Sequence, residues 1–177
     1  ENNNKPNMIF KKLYLSIFFI FFIFPINAEE LKNINQNSEL NVYTGMFDFS
    51  DDGKSSSLIG LQHQNENLNR DTFLGNLSPV TGFLITADNA GYIYTGVQAQ
   101  YKVGALNFTP SFTPGLYHQG NGKDLGHILE FKSEVQLSYD LFENTELGFS
   151  YNHISNASLG DKNPGANSYM FNFFKSF

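Results

Sequence analysis

The stretch GHILEFKSEVQLSY, residues 126–139, decides the fold because apolar and polar side chains alternate along it. The odd positions are mostly apolar: His127, Leu129, Phe131, Ser133, Val135, Leu137 and Tyr139. The even positions carry charges of both signs: Glu130, Lys132 and Glu134. A period of two is that of a β-strand with two different faces. A soluble sandwich would bury the apolar face, whereas a membrane barrel turns it to lipid and pairs the charges in its lumen.

Segments of the same kind recur along the chain between clusters of Gly, Asn, Asp and Pro. They are predicted at 39–49, 56–64, 78–88, 91–103, 105–118, 124–139, 145–155 and 167–177. An even number of strands is typical of bacterial single-chain barrels. The last segment ends on Phe177 with Tyr169, Phe171 and Phe173 on the same parity, which resembles the end signal of outer-membrane barrels. We therefore predict an all-β fold, an eight-stranded antiparallel transmembrane β-barrel.

The barrel prediction carries two local expectations. Pro110 and Pro114 fall inside the fifth segment, where each would remove one ladder hydrogen bond. The residues 140–144 form a short periplasmic turn if both chain termini lie on the periplasmic side. The connection after the seventh segment, about 156–166, then opens at the outer rim of the barrel.

The apolar run from Leu13 to Phe24 predicts a leader. Lys11 and Lys12 precede it and Ala28 follows shortly after it. As a helix, its length of about 18 Å, at ~1.5 Å per residue, falls short of a hydrocarbon core of ~30 Å. A basic start, a short apolar stretch and a small residue indicate a secretory signal peptide, with a single membrane anchor as the alternative. We predict a signal peptide at residues 1–28, with Met8 as the true start, and the barrel domain at residues 29–177.

Composition excludes two other classes of protein. The 177 residues contain no Cys, so no disulfide framework exists. A formal charge of −6 with only 11 Lys and Arg argues against a nucleic-acid partner, which would need a basic stripe. No Gly-rich phosphate loop occurs, and no His or Asp cluster has the spacing of metal ligands. We expect neither a cofactor nor a metal.

The seventh segment ends with a histidine and a serine on one face. His153 and Ser155 share the parity of Leu147, Phe149 and Tyr151, so period-two geometry points both outward, away from the polar lumen. Two positions along a strand separate their Cα atoms by roughly 6–7 Å, within reach of a side-chain hydrogen bond. An imidazole on the lipid side is costly without a partner or a task. A histidine at the polar rim of the membrane is the alternative interpretation.

The residues around this pair resemble a known family. His153-Ile154-Ser155-Asn156-Ala157, followed by Leu159-Gly160 and Asn163-Pro164-Gly165, is similar to the C-terminal motif of the lipid A 3-O-deacylases of the PagL type. Four upstream stretches are similar as well: residues 86–92, 114–117, 124–126 and 130–133. The resemblance covers about the C-terminal two-thirds of the predicted barrel domain.

This resemblance implies an outer-membrane esterase that removes the acyl chain ester-linked at the 3 position of lipid A in lipopolysaccharide. In that family the motif serine is the nucleophile and the histidine its general base, which correspond to Ser155 and His153. The oxyanion hole corresponds to Asn156, Ala157 and Ser158. The implied partners are lipid A and the lipids of the bacterial outer membrane, and homodimerisation stays open.

One position departs from the family pattern. The acidic residue that orients the histidine falls two positions after the glycine, where this chain has Asn167. Its amide oxygen can still accept from the imidazole, but it offers no negative charge; in a serine protease the same exchange costs about 10⁴ in kcat. We expect a working enzyme in which Asn167 orients His153; the alternatives are a slower enzyme, Asp161 as the source of the charge, or loss of activity. Ser158, where the family often has Gly, is a smaller departure.

Other readings compete with a lipid A hydrolase. The main one is a non-catalytic small barrel with a structural or adhesion role; another is an acyltransferase or phospholipase barrel, which shares ester chemistry. Three other histidines, His63, His118 and His127, have no acidic or serine neighbour at a spacing that would form a catalytic pair. We interpret them as residues at the rim or on a face of the barrel. Glu130 and Glu134 could form an acid–base pair, but Lys132 between them favours a salt-bridge network in the lumen.

Overall fold

The computed structural model describes residues 38–51 and 53–177, and the predicted signal peptide at residues 1–28 lies outside them. The described residues form ten strands: β1 (Ser38–Phe47), β2 (Ser56–Asn65), β3 (Arg70–Thr72), β4 (Gly75–Thr86), β5 (Gly91–Ala99), β6 (Tyr101–Val103), β7 (Leu106–His118), β8 (Leu129–Phe142), β9 (Thr145–Ser155) and β10 (Ala166–Ser176). A single 3-10 turn, Glu66–Leu68, separates β2 from β3. No helix in this part of the chain is long and apolar enough to cross a membrane.

Eight of these strands close into a ring. The order around it is β1, β2, β4, β5, β7, β8, β9, β10, and β10 pairs again with β1. All pairings are antiparallel, and the short strands β3 and β6 lengthen two hairpins by pairing with β4 and β7. The prediction of an eight-stranded antiparallel barrel is confirmed.

The sixth predicted segment is displaced along the chain. It was expected at 124–139, but β8 begins at Leu129 and ends at Phe142. Its start is delayed because Gly126 has a φ of +92° and donates its amide to Asp124 Oδ1, which keeps this stretch in a turn. Its end is extended past an irregularity between Asp140 and Phe142. The turn is therefore 143–144 rather than 140–144.

The fifth segment forms a continuous strand despite its two prolines. On the β8 side, Pro110 pairs with Val135 and Pro114 with Phe131. On the β5 side, the pairing is interrupted between Gly115 and Phe112, at the position of Pro114. A proline nitrogen has no hydrogen to donate to the ladder, and the gap falls where one proline faces the neighbouring strand.

The alternation read from the sequence separates the two faces of the barrel wall. Val135 and Leu137 are 46% and 57% exposed on the outer face, whereas Glu130, Lys132 and Glu134 are buried in the interior. Lys132 Nζ lies 3.0 Å from Glu134 Oε2 and 4.0 Å from the centroid of a neighbouring tyrosine ring. The interior therefore holds buried polar and charged side chains, among them the Lys132–Glu134 ion pair, and the outer wall is the apolar surface that a lipid bilayer requires.

Four connections lie at the end of the barrel opposite Ser38 and Phe177, and we call them the mouth loops: 48–55, 87–90, 119–128 and 156–165. The third of them crosses the mouth. β1 and β7 are diametrically opposite in the ring, yet Lys123 Nζ lies 2.6 Å from Asp48 Oδ2. Beneath this ion pair Phe47 and Tyr117 stack, with ring centroids 6.2 Å apart. The loop 119–128 thus ties two opposite walls together.

Candidate active site

His153 and Ser155 lie on the outer face at the mouth end of β9. His153 is exposed and Ser155 is half-buried. Asn152, which precedes His153, and Ile154, which lies between the two, are fully buried in the interior. The alternation fixes these directions because successive residues of a strand point to opposite faces. Within residues 38–51 and 53–177, no hydrogen bond joins the Ser155 hydroxyl to the imidazole. Catalytic hydrogen bonds often tighten only when substrate is bound.

Asn167 lies directly opposite His153 on the neighbouring strand β10. Its Oδ1 is 2.8 Å from His153 Nδ1. An amide oxygen can only accept a hydrogen bond, so Nδ1 carries the hydrogen and Nε2 is left as the basic nitrogen. Asp161, the alternative source of an acidic group, is exposed in the loop 156–165. The residue brought to the imidazole is therefore Asn167.

Two further side chains bind the amide of Asn167, and the sequence analysis missed both. The Tyr151 hydroxyl donates to Asn167 Oδ1 over 2.8 Å, and Asn167 Nδ2 donates to Ser50 Oγ over 3.1 Å. Tyr151 shares the outward parity of His153, two positions earlier, which was the one available signal for it. Ser50 comes from the loop 48–55 and has no signal in sequence. Together these partners fix which end of the amide faces His153.

Gly165 leaves room for the imidazole ring. It has a φ of +65°, and a Cβ built on it would lie 2.7 Å from His153 Cε1 and 3.2 Å from Nε2. Continuing the pairing of Ala166 with Ile154 by one residue puts Gly165 opposite Ser155. The imidazole of His153 therefore has Nδ1 against Asn167, while its Nε2 points toward the part of the strand where Ser155 lies.

The residues after Ser155 form a tight turn of unusual conformation. Leu159 N donates to Asn156 O over 3.0 Å, and the two central residues, Ala157 and Ser158, have φ values of +52° and +63°. These are the features of a type I′ turn, which normally carries Asn or Gly at such positions. Non-glycine residues in this region cost of order 1–3 kcal/mol each and cluster at functional sites. Among the described residues, no hydrogen bond engages the amides of Ala157 and Ser158.

Asn156 anchors this turn from inside. Its side chain is fully buried, and Nδ2 donates to Leu125 O over 2.7 Å and to Lys162 O over 2.8 Å. Its backbone amide donates to Asn163 Oδ1 over 3.1 Å. The donors of Asn156 are thus all engaged within the protein, and they join the turn to the loop 119–128.

Two lysines, Lys123 and Lys162, form ion pairs between mouth loops. Lys123 is half-enclosed by Asp48 and Asp51; burial opposes its charge, but the hydrogen bonds and charges of the two carboxylates outweigh it and raise the pKa of Lys123. On the exposed rim, Lys162 Nζ lies 2.6 Å from Asp124 Oδ2. That hydrogen bond, with the one from the Gly126 amide, lowers the pKa of Asp124. In the described ranges no group of three or more acidic or histidine side chains is arranged to hold a metal ion.

A closed barrel of eight strands with an apolar outer wall and a polar interior defines the class, a transmembrane β-barrel of the bacterial outer membrane. The family model described as lipid A 3-O-deacylase (PagL) matches residues 38–176. The chain belongs to this family, which confirms the resemblance, and it is accordingly an ester hydrolase of the outer membrane rather than a non-catalytic barrel. No curated protein sequence matches the chain.

Solved structures show the same fold at low sequence identity. The crystal structure of the outer membrane enzyme PagL is 16% identical, with 77% of this chain and 98% of that chain covered and a TM-score of 0.55. A de novo designed transmembrane β-barrel is 10% identical, with 83% and 100% covered and a TM-score of 0.56. Neisserial surface protein A (NspA) is 10% identical, with 80% and 96% covered and a TM-score of 0.51.

Proposed function

We propose that this protein hydrolyses the 3-position acyl ester of lipid A with Ser155 as nucleophile and His153 as general base. The observation that carries the proposal is the 2.8 Å contact between His153 Nδ1 and Asn167 Oδ1, on the outer wall two residues from Ser155. That contact leaves Nε2 free to take the serine proton. A serine hydroxyl is a poor nucleophile until such a base acts on it.

The reaction runs in two halves. Ser155 Oγ attacks the ester carbonyl carbon while its proton passes to His153 Nε2, and the carbonyl oxygen becomes an oxyanion. When the tetrahedral intermediate collapses, the bond to the sugar 3-oxygen breaks and that oxygen takes the proton from His153. A water molecule gives its proton to the same imidazole and attacks the acyl-serine ester. The bond to Ser155 Oγ then breaks, Oγ takes the proton back from His153, and the fatty acid is released.

The amides of Ala157 and Ser158 are the proposed oxyanion donors. They lie two and three residues after the nucleophile, and both are free of protein partners among the described residues. Asn156 supports them by holding the turn, since its own donors are engaged elsewhere. Donors fixed in advance at the site of developing charge contribute a large part of ester hydrolysis, about 10²–10³ in kcat for one donor.

The position of the site suits a lipid that stays in the membrane. Below His153 and Asn167 the outer wall carries aromatic rings in mutual contact, with Phe149 and Tyr169 centroids 6.1 Å apart and Phe149 and Phe171 centroids 5.5 Å apart. An acyl chain of the substrate and the surrounding membrane lipids would lie against this surface. The ester would then sit at the rim, at the boundary between headgroups and acyl chains. Residues 1–28 would act as the signal peptide for export, and residues 29–177 would be the mature protein in that membrane.

The decisive experiment is mass spectrometry of lipid A from cells that express the wild type, Ser155→Ala or His153→Ala. Loss of one 3-linked hydroxyacyl group with the wild type alone is the expected result. Ser57→Ala and His118→Ala are matched controls, because both residues are exposed near the mouth and neither touches the site. Both should deacylate lipid A as the wild type does.

Folding has to be followed in the same cells. Outer-membrane barrels that remain folded migrate differently from unfolded chains in gels, which gives the amount of folded protein for each variant. Unchanged lipid A with folded wild-type barrel would remove lipid A as the substrate. Release of fatty acid from phospholipids instead would assign the same pair to a phospholipase.

A further inference from the structure

Three consecutive residues of the first mouth loop form hydrogen bonds with Asn167, the residue that faces the imidazole. Asp48 Oδ1 accepts from Asn167 N at 3.3 Å, Phe49 N donates to Asn167 O at 3.0 Å, and Ser50 Oγ accepts from Asn167 Nδ2 at 3.1 Å. Asn167 is the second residue of its strand, so the loop replaces the neighbouring strand that its backbone would otherwise lack. The backbone and the amide of Asn167 are thus set by one loop.

Asp48 is the residue of this loop that connects Asn167 to a second mouth loop. It is fully buried and has a φ of +50°, a conformation that aspartate tolerates better than most residues. Its two carboxylate oxygens have different partners, since Oδ1 accepts from Asn167 and Oδ2 lies 2.6 Å from Lys123 Nζ. A buried carboxylate needs such a counter-charge. Lys123 provides it from the loop that crosses the mouth.

We infer that Asp48, held by Lys123, is a positioning residue that sets Asn167 against His153. The inference rests on the proposed function, because it assigns Asp48 a role in the geometry of that same site. Asn167 brings no charge to the imidazole, so its contribution depends on the position and orientation of one amide. A loop that fixes the backbone and the side chain of Asn167 supplies both. The ion pair between Lys123 and Asp48 is therefore connected to the imidazole by two hydrogen bonds, one from Asn167 N to Asp48 and one between Asn167 and His153.

The test compares purified barrels in detergent micelles containing lipid A. Asp48→Ala removes the acceptor and should lower kcat at least tenfold, while KM stays within about twofold, since a misplacement near 1 Å can cost 10²-fold. Asp48→Asn keeps an oxygen that can accept from Asn167 N and should retain more activity than Asp48→Ala. Asp124→Asn is the matched control, because it breaks the other 2.6 Å ion pair between mouth loops; its kcat should stay within twofold of the wild type.

Folded barrel is quantified for each variant by its gel migration and by urea unfolding. A purely structural role would lower stability without separating Asp48→Ala from Asp48→Asn in kcat per folded molecule. If Asp48→Ala does not fold, Ser50→Ala serves, since Ser50 is exposed; its kcat should fall several-fold. Wild-type kcat in folded Asp48→Ala overturns the inference, and so does wild-type kcat in Ser50→Ala where Asp48→Ala does not fold. A wild type that leaves lipid A intact overturns the proposed function instead.

Discussion

Replacing Gly165 with alanine would press a methyl group against the imidazole of His153. Ordinary van der Waals contact begins at 3.4 Å, and the new Cβ would lie 2.7 Å from Cε1, so the ring must withdraw by about 0.7 Å. The ring can swing away, but only by lengthening its 2.8 Å contact with Asn167. A displacement of this size at a catalytic group costs about 10² in rate. The left-handed backbone, with φ of +65°, adds about 1–2 kcal/mol of instability.

Gly104 provides the control for the backbone cost. It has a φ of +64°, and a Cβ built there meets nothing within 4 Å. Gly104→Ala and Gly165→Ala should therefore share the backbone cost in free energy of unfolding, and Gly165→Ala should lose more because its methyl group also displaces the imidazole; urea unfolding in lipid vesicles measures both losses. Only Gly165→Ala should lose deacylation, by about 100-fold in kcat at equal amounts of folded barrel. Equal kcat in the two variants would refute the packing of the imidazole against Gly165 as a requirement of the site.

Three other substitutions and conditions give distinct expectations. Asn167→Asp keeps the shape of the side chain and adds the missing charge beside His153, so kcat should rise at least tenfold in the micelle assay; an unchanged kcat would show that the missing charge does not limit the rate. Ser158→Gly relieves a φ of +63° and should raise the free energy of unfolding by about 0.5–1 kcal/mol, checked by urea titration. The lowered pKa of Asp124 means that its pairing with Lys162 stabilises the barrel above the ordinary value of 3.8 and is lost as pH falls through the folded-state pKa. Wild type and Asp124→Asn should thus differ in stability at neutral pH and converge in strong acid.

The fold follows from the sequence because one rule governs every strand. Residues that face lipid and residues that face the interior alternate, and this pattern placed the eight long strands within a few residues. The short strand β3 was not predicted because three residues are too few to show a period. The residues of β6 were predicted as the end of the fourth segment, 91–103, but the structure ends β5 at Ala99 and begins β6 at Tyr101. The start of β8 was predicted too early because Asp124 and Gly126 form a turn, while the residues around this turn still alternate between apolar and polar.

The site was less accessible to sequence reasoning for a physical reason. His153, Ser155 and Asn167 were identified through a motif, and the register of β9 with β10 brings His153 and Asn167 face to face. Asp48 and Ser50 lie more than a hundred residues earlier in the chain, and they reach Asn167 only because the ring closes β1 against β10. Contacts made by closure of a barrel leave no local pattern to detect.

Under the proposed function, the outward direction of His153 and Ser155 determines how the reaction rate would respond to the surrounding lipids. A lipid reaches a site on the outer wall by diffusing within the plane of the membrane, so the encounter is two-dimensional. The relevant concentration is the mole fraction of substrate in the leaflet around the barrel, and dilution with inert lipid or detergent should slow the reaction even when the amount of substrate per volume is constant. The barrel would then respond to the composition of one leaflet rather than to anything dissolved in the medium.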